Sequence, residues 1–315
     1  MRRILSLVCT VSCAHAFVRT PALGNRLRSS CAPVMSVGGK TIPMPSYAPP
    51  SLAPSTLISL LLLAFTPSFS SAEGLVQELF TMVGGSIEFR DSDHAEACGF
   101  DKWSNGDCSG TVQGRLASTK VDWCNVACTK AGETTKSSLQ AWCMPMFDVP
   151  HLLVDVTTTG DEMLLELDIV AKDDLMYPAA DYLANYYGEK TQAWYNKVVE
   201  NPLASVGPAP ATVVGRILGS PVRVSVKLDG NNPEATSFAQ GAINELAELW
   251  LGWLEDATEI PRVRRGTMLG RDTAIRRSYF ALLGQDPLLG DSDNAKLVAA
   301  AMVGPGDAAY TGQAS

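Results

Sequence analysis

Residues 150 to 169 read PHLLVDVTTTGDEMLLELDI, two runs in which apolar positions alternate with others on either side of a short polar break. Alternation with a period of two marks a half-buried strand. Gly160 with Thr159 or with Asp161 supplies a two-residue turn, so the segment predicts a β-hairpin. Side chains alternate across a strand, so Leu152, Val154 and Val156 point one way and His151, Leu153 and Asp155 the other. In the second run Met163, Leu165, Leu167 and Ile169 share one face, and Leu164, Glu166 and Asp168 the opposite one. A two-residue turn at either place pairs residues whose numbers sum to an odd total. Under that parity the apolar rows coincide, and the other face gathers His151, Asp155, Glu166 and Asp168 with no Lys or Arg in either run.

The same patterning places the remaining elements. Residues 73 to 83 have the spacing of an amphipathic helix, and the Gly- and Cys-containing stretch from 84 to 118 reads as loop-rich. Strands are predicted from about Lys120 to Trp123, from Ser138 to Trp142, over 211 to 218, and over 222 to 228, where VRVSVKL alternates strictly. Tyr182, Tyr186, Trp194 and Val198 recur at helical spacing within 178 to 200, with Pro178 suited to a first turn. A further helix runs from Pro233 to about Ala257, capped by Asn232 and burying Phe238, Ile243, Leu246, Trp250 and Trp253. No internal repeat is present, and the tail from Gly304 is small, polar and expected to fray. The fold class is α/β.

Charge separates the working domain from its leader. All 33 acidic residues lie at or after Glu73, whereas residues 1 to 72 carry six of the 25 Lys and Arg. A basic, acid-free, Ser- and Pro-rich leader of this kind is a targeting region. Residues 1 to 16 have a charged start, an apolar middle and the Ala14-His15-Ala16 pattern of a signal peptide cleaved before Phe17. Residues 17 to 72 have the composition of a plastid transit region, and a signal followed by such a region with Phe at the junction resembles the two-part presequences of algae with complex plastids. A second apolar run, LISLLLLAF at 57 to 65, is too short to span a bilayer, which takes about 20 residues. It is either a thylakoid-lumen signal or the end of a long transit peptide. A plastid (chloroplast) location is expected, the stroma ahead of the lumen.

Residues 73 to 315 are long enough for a single domain with a substantial core. With 25 − 6 = 19 Lys and Arg against 33 acids, its net charge is 19 − 33 = −14, which argues against general nucleic-acid binding. Five cysteines, Cys98, Cys108, Cys124, Cys128 and Cys143, form no CxxC pair, so free thiols or one or two disulfides are expected and no metal site. No GxGxxG follows a strand. The carboxylate face of the hairpin admits two readings. It is a solvated outer face, or it is a cluster whose members raise one another's pKa and hold a proton for general-acid chemistry.

Five segments bear on that choice: STKVDW, SSLQAW, FDVPHLLVDV, LLLELDIVAKDDLMYPAADYL followed by NYY, and GRDTAIRRSYFALLGQD. In this order and spacing, across most of residues 118 to 303, they resemble the red chlorophyll catabolite reductases, within the wider ferredoxin-dependent bilin reductase family. The resemblance implies a three-layer α/β/α sandwich with a central antiparallel sheet and an open-chain tetrapyrrole between sheet and helices. It implies an oxidoreductase acting on CH–CH groups in chlorophyll catabolism, with electrons from reduced ferredoxin, no bound cofactor or metal, and protons from acidic side chains. Carried over by motif, the catalytic pair is Asp155, usually Glu in the plant enzymes, and Asp272, expected opposite it. His151, Glu166 and Asp168 become substrate-binding candidates, His151 also an alternative donor. The blander reading makes Asp155 a surface residue and Asp272 a helix cap or a partner of Arg271 or Arg276.

PRVRRGTMLGRDTAIRR holds Arg262, Arg264, Arg265, Arg271, Arg276 and Arg277, a candidate docking patch for an acidic ferredoxin or a solvated run paired to nearby acids. A phycobilin-forming bilin reductase and a non-catalytic tetrapyrrole carrier stay open as alternatives, as does a homodimer.

Overall fold

The computed structural model describes residues 72–87, 89–93, 101–117, 120–176 and 181–304. Residues 1–71, which hold both apolar runs and nearly all of the stretch read as signal and transit peptides, lie outside the described residues, as do Cys98, Pro178 and the tail after Gly304. Among those described, nine strands form one antiparallel sheet: β1 (Phe89–Asp93), β2 (Lys102–Asn105), β3 (Cys108–Ala117), β4 (Val121–Ala131), β5 (Thr134–Cys143), β6 (His151–Thr159), β7 (Glu162–Val170), β8 (Ser205–Val206) and β9 (Val224–Asp229). The order is β1-β3-β4-β5-β6-β7-β9-β8, with β2 also on β3.

Helices cover both faces. On one side α1 (Ala72–Ser86), α2 (Tyr182–Tyr187), α3 (Glu189–Val199) and α5 (Pro233–Asp256) bury the apolar rows of β5, β6, β7 and β9. Leu152, Val154, Val156, Leu165, Leu167 and Ile169 meet Leu75, Leu79, Trp194, Ile243 and Trp250 there, all of them almost fully buried. On the other side α6 (Arg262–Leu283), the 3-10 turn Pro287–Leu289 and α7 (Ser292–Val303) close over a second apolar cluster built on Trp103, Trp123 and Trp142. The short α4 (Val213–Leu218) lies against α6. The result is the α/β/α sandwich with its central antiparallel sheet.

The hairpin register agrees with the parity argument. Thr159 pairs with Glu162 around Gly160-Asp161, Asp155 with Glu166 and Leu153 with Asp168, and Gly160 takes φ 55° as the turn requires. Asn232 caps α5 by accepting from the Glu234 N–H at 2.9 Å.

Other expectations are corrected. Part of the stretch read as loop-rich forms β1, β2 and β3. Glycines hide β3, and they are there because tryptophans cross them: a Cβ on Gly114 would come within 2.0 Å of the Trp123 ring, and one on Gly110 within 2.7 Å of Trp103. The strand expected over 211 to 218 is helix α4, since the Thr212 side chain accepts from the Gly215 N–H at 3.0 Å and starts a helical turn that the β-branched residues mask. Among the described residues from 181 to 200 the expected helix is divided in two at Gly188. Gly304 is buried, with φ 94° against the Trp123 ring.

Candidate active site

Two charged clusters stand on the sheet face that meets α6. The first sits at the start of β6. His151 Nδ1 accepts the Cys143 N–H at 3.0 Å, which places the imidazole proton on Nε2, 2.9 Å from Asp272 Oδ1 in a contact bent away from ideal hydrogen-bond geometry. Asp272 Oδ2 lies 3.3 Å from Arg276 Nε, and Arg276 Nη1 is 2.7 Å from Asp122 Oδ2. The guanidinium stands 5.5 Å from the Trp142 ring centre, and Trp142 in turn meets His151 edge-on at 4.9 Å. His151, Asp272 and Arg276 are all fully or almost fully buried. Lys172, also sealed, donates to the carbonyls of Cys143, Met144 and Phe147 at 3.1, 2.6 and 2.9 Å, tying off the β5–β6 connection.

Burial pushes the His151 pKa down to about 4 despite the Asp272 carboxylate. Burial opposes ionisation of Asp272 as well, but the His151 contact and the Arg276 charge hold its carboxyl at about 2. This cluster therefore joins a neutral imidazole to an ionised carboxylate, and near neutral pH neither group is an acid that could protonate a substrate.

The second cluster lines a cavity of about 430 Å³ between β5, β6, β7, the C-terminal half of α6 and the strap from Pro208 to Thr212. Asp155, Glu166 and Asp168 all reach it. The bare acid face expected from the hairpin is corrected by neighbouring segments, which contribute cations. Lys136 of β5 lies 3.6 Å from Asp155 and 3.3 Å from Asp286, and Arg223, just ahead of β9, lies 2.8 Å from Glu166. Asp168 has less compensation: the Ser220 N–H approaches both its oxygens at 3.3 Å. Burial raises its pKa to about 6, with Ser220 and Arg223 opposing. Tyr279 on α6 faces the same space, its phenol pushed well above the ordinary value by burial and by the Asp168 charge.

The structure thus brings Asp155, Glu166 and Asp168 together and leaves His151 and Asp272 out of the cavity lining. His151 precedes Asp155 by four residues on β6, roughly 13 Å at strand rise, so Asp272 stands against His151 and not opposite Asp155. Lys136, Arg223 and Tyr279 were missed. Tyr279 had a signal: it lies seven residues after Asp272, on the same face of a helix.

Four of the six arginines pair with nearby acids, the second of the two readings of that run. Arg276 is 1% exposed and belongs to the sealed cluster. Arg264 pairs with Asp173 at 2.7 Å, Arg265 with Glu259, and Arg271 with Asp174 at 3.2 Å and with the carbonyls of Lys172 and Asp173. Arg262 and Arg277 are exposed. Cys108, Cys124, Cys128 and Cys143 are free, with burial raising the thiol of Cys143 to about 12. Among the described residues no group of three or more His, Cys, Asp and Glu could hold a metal, and no helix is long and apolar enough to cross a membrane.

No family model matches the sequence, and no curated protein is similar to it at a significant level. Among solved structures the chain is similar to phytochromobilin synthase from tomato in complex with biliverdin, with a TM-score of 0.60, 16% sequence identity, and coverage of 74% of this chain and 82% of that one. The likeness establishes the fold.

Proposed function

We propose that this protein is a reductase of open-chain tetrapyrroles that takes electrons from reduced ferredoxin and protons from its own carboxyl groups. The observation that carries the reading is a cavity lined by Asp155 and Asp168, the latter titrating near 6, on the fold of a protein solved with biliverdin. A cavity of about 430 Å³ lies within the usual range for small-molecule sites, about 300 to 1,000 Å³.

The roles follow from the environments. Asp168 is the proton donor, because a carboxyl with a pKa near the working pH both holds a proton and releases it readily. Asp155, beside Lys136, is the second carboxyl at the substrate and orients the pyrrole N–H edges. Glu166 and Arg223 form a pair on the cavity wall. Asp272 acts at a distance, fixing His151 and Arg276 and hence the seat of α6 on the sheet. The ordered segments from STKVDW to GRDTAIRRSYFALLGQD favour red chlorophyll catabolite as substrate in chlorophyll breakdown, within a plastid, the stroma suiting ferredoxin. Biliverdin is the second candidate, on the strength of the ligand in the similar structure.

The test compares the parent, Asp155→Asn and Asp168→Asn for binding of both tetrapyrroles by absorbance and for turnover with reduced ferredoxin. Binding within a few-fold of the parent with turnover down by about 10²- to 10⁴-fold in Asp168→Asn is expected. Unimpaired turnover in both variants would sink the acid roles. A parent that binds without turnover is a carrier, and one that does neither ends the reading.

A further inference from the structure

We propose that Lys136 is a catalytic residue of this cavity: its ammonium meets the negative charge that each incoming electron places on the tetrapyrrole, and Asp286 holds it in position. The inference rests on the reductase reading above.

Register puts Lys136 there. It pairs with Thr157 across β5 and β6, so its side chain rises on the cavity face, one two-residue step from the Ser138–Asp155 pair. A diagonal of this kind is within reach of a long side chain. Nζ comes to 3.6 Å from Asp155 and 3.3 Å from Asp286, and the side chain is 18% exposed. Asp286 is itself fixed, since its Oδ1 accepts the Leu288 N–H at 3.0 Å at the start of the 3-10 turn. Asp155, against the opposing cost of burial, and then Asp286 raise the lysine pKa well above its ordinary value, so the group stays cationic. An ammonium has three N–H donors. One serves Asp286, and the Asp155 distance is longer than a hydrogen bond, which leaves donor capacity for a bound ligand. The other cation lining the cavity, Arg223, is committed to Glu166 at 2.8 Å and to the Gly215 carbonyl at 3.3 Å.

The chemistry calls for such a group. Saturating one double bond consumes two electrons and two protons, and an iron–sulfur donor passes electrons one at a time. The first electron makes a radical anion, and a proton from Asp168 makes it a neutral radical. The second electron makes an anion, and a second proton, after Asp168 is recharged from solvent, completes the product. Two donor molecules are oxidised. In each half the charge arrives before the proton, and a fixed cation in a partly desolvated site lowers the free energy of that state while an already ordered environment avoids reorganisation.

The experiment uses the whole chain and whichever of biliverdin and red chlorophyll catabolite the parent reduces. Lys136→Met and Lys136→Arg are compared for affinity by absorbance titration, for kcat and KM with reduced ferredoxin, and for the reduction potential of the bound tetrapyrrole. In Lys136→Met, kcat is expected to fall at least tenfold with affinity within about threefold, and the bound pigment to become harder to reduce. Lys136→Arg is expected to recover most of the rate. Should Lys136→Met not fold, the double variant Lys136→Gln with Asp286→Asn removes the charge together with its anchor and is read the same way. An unchanged kcat and potential without the ammonium, or no rescue by arginine, overturns the role of Lys136 while leaving the reductase reading intact. A parent that neither binds nor reduces either pigment overturns both.

Discussion

The two charged clusters share one sheet face, one strand and one helix, yet they do opposite things with a carboxyl group. Around His151, Asp272 is sealed, touched by an imidazole and a guanidinium, and held ionised with its pKa at about 2. Around Asp155, Asp168 is nearly as buried, but its closest partner is the Ser220 N–H, and its pKa rises to about 6. Burial alone does not separate them, because it raises both. The contacts decide the outcome: the His151 imidazole first and the Arg276 charge after it hold Asp272 ionised, whereas Ser220 and Arg223 do not offset burial at Asp168, so one carboxylate holds the fold together and the other is fit to move a proton.

The sharpest way to break this comparison is to delete a carboxylate from each cluster. Removing Asp272 takes one of two counter-ions from the fully buried Arg276, which keeps Asp122, so the cost is expected at or below the low end of the roughly 3–5 kcal/mol for breaking a buried pair from one side. Asp155 is 29% exposed at its side chain, so its loss is expected to cost less than about 1 kcal/mol. Urea unfolding of Asp272→Ala and Asp155→Ala at pH 7 measures both. Equal losses would show that the sealed cluster is no more structural than the open one.

A second test uses pH. Asp168 titrates near 6 in the folded chain against 3.8 in the ordinary carboxyl, so the stability linked to its neutral form is full below about 3.8 and lost as pH rises through about 6. His151 runs the other way: lowered from 6.5 to about 4, it stays neutral where the unfolded chain binds a proton, so its contribution grows from about pH 4 and is complete above about 6.5. The two slopes oppose each other between about pH 4 and 6, and the parent curve should be shallow there. Asp168→Asn removes one slope and leaves the other. Its stability relative to the parent is expected to increase by about 2 to 3 kcal/mol from pH 4 to pH 7. Parallel curves would mean that Asp168 titrates as an ordinary carboxyl, and the open cluster would lose its proton donor.

The sequence named the members of the sealed cluster, including the Asp272–Arg276 pair, but not that His151 meets them, and it showed only the carboxylates of the open cluster. His151, Asp155, Glu166 and Asp168 were legible because a two-residue turn leaves only one parity, and parity assigns faces. Their partners come from elements whose pairing no local rule sets: β9 joins β7 only after residues 171–223, and Lys136 reaches Asp155 on a diagonal. Helix α6 was obscured for a related reason. Of its five buried positions, Met268, Asp272, Ile275, Arg276 and Leu283, two are charged, so the stripe that announces an amphipathic helix is interrupted where α6 meets the sealed cluster. Strand β3 was lost to the glycines that its neighbouring tryptophans require.

The smallest expected effect applies the same rule of contacts to the arginines of α6. If partners decide what a charge does, Arg264 and Arg265, already bound to Asp173 and Glu259, add little to the field that an acidic ferredoxin meets, while the domain as a whole is repulsive at −14. Screening over about 8 Å at physiological ionic strength weakens the remainder. Replacing both by Glu is therefore expected to raise the apparent KM for ferredoxin by less than about threefold at low salt, leave tetrapyrrole affinity unchanged, and have an effect that disappears as salt rises. Surface pairs of this kind are worth about 0 to 1 kcal/mol, so they can open for a better partner at little cost. A rise of tenfold or more that salt abolishes would show that they do open, making the N-terminal half of α6 a docking face after all. A rise that salt leaves untouched would point instead to a displaced helix, because a lost long-range attraction must be screened and a lost fit need not be.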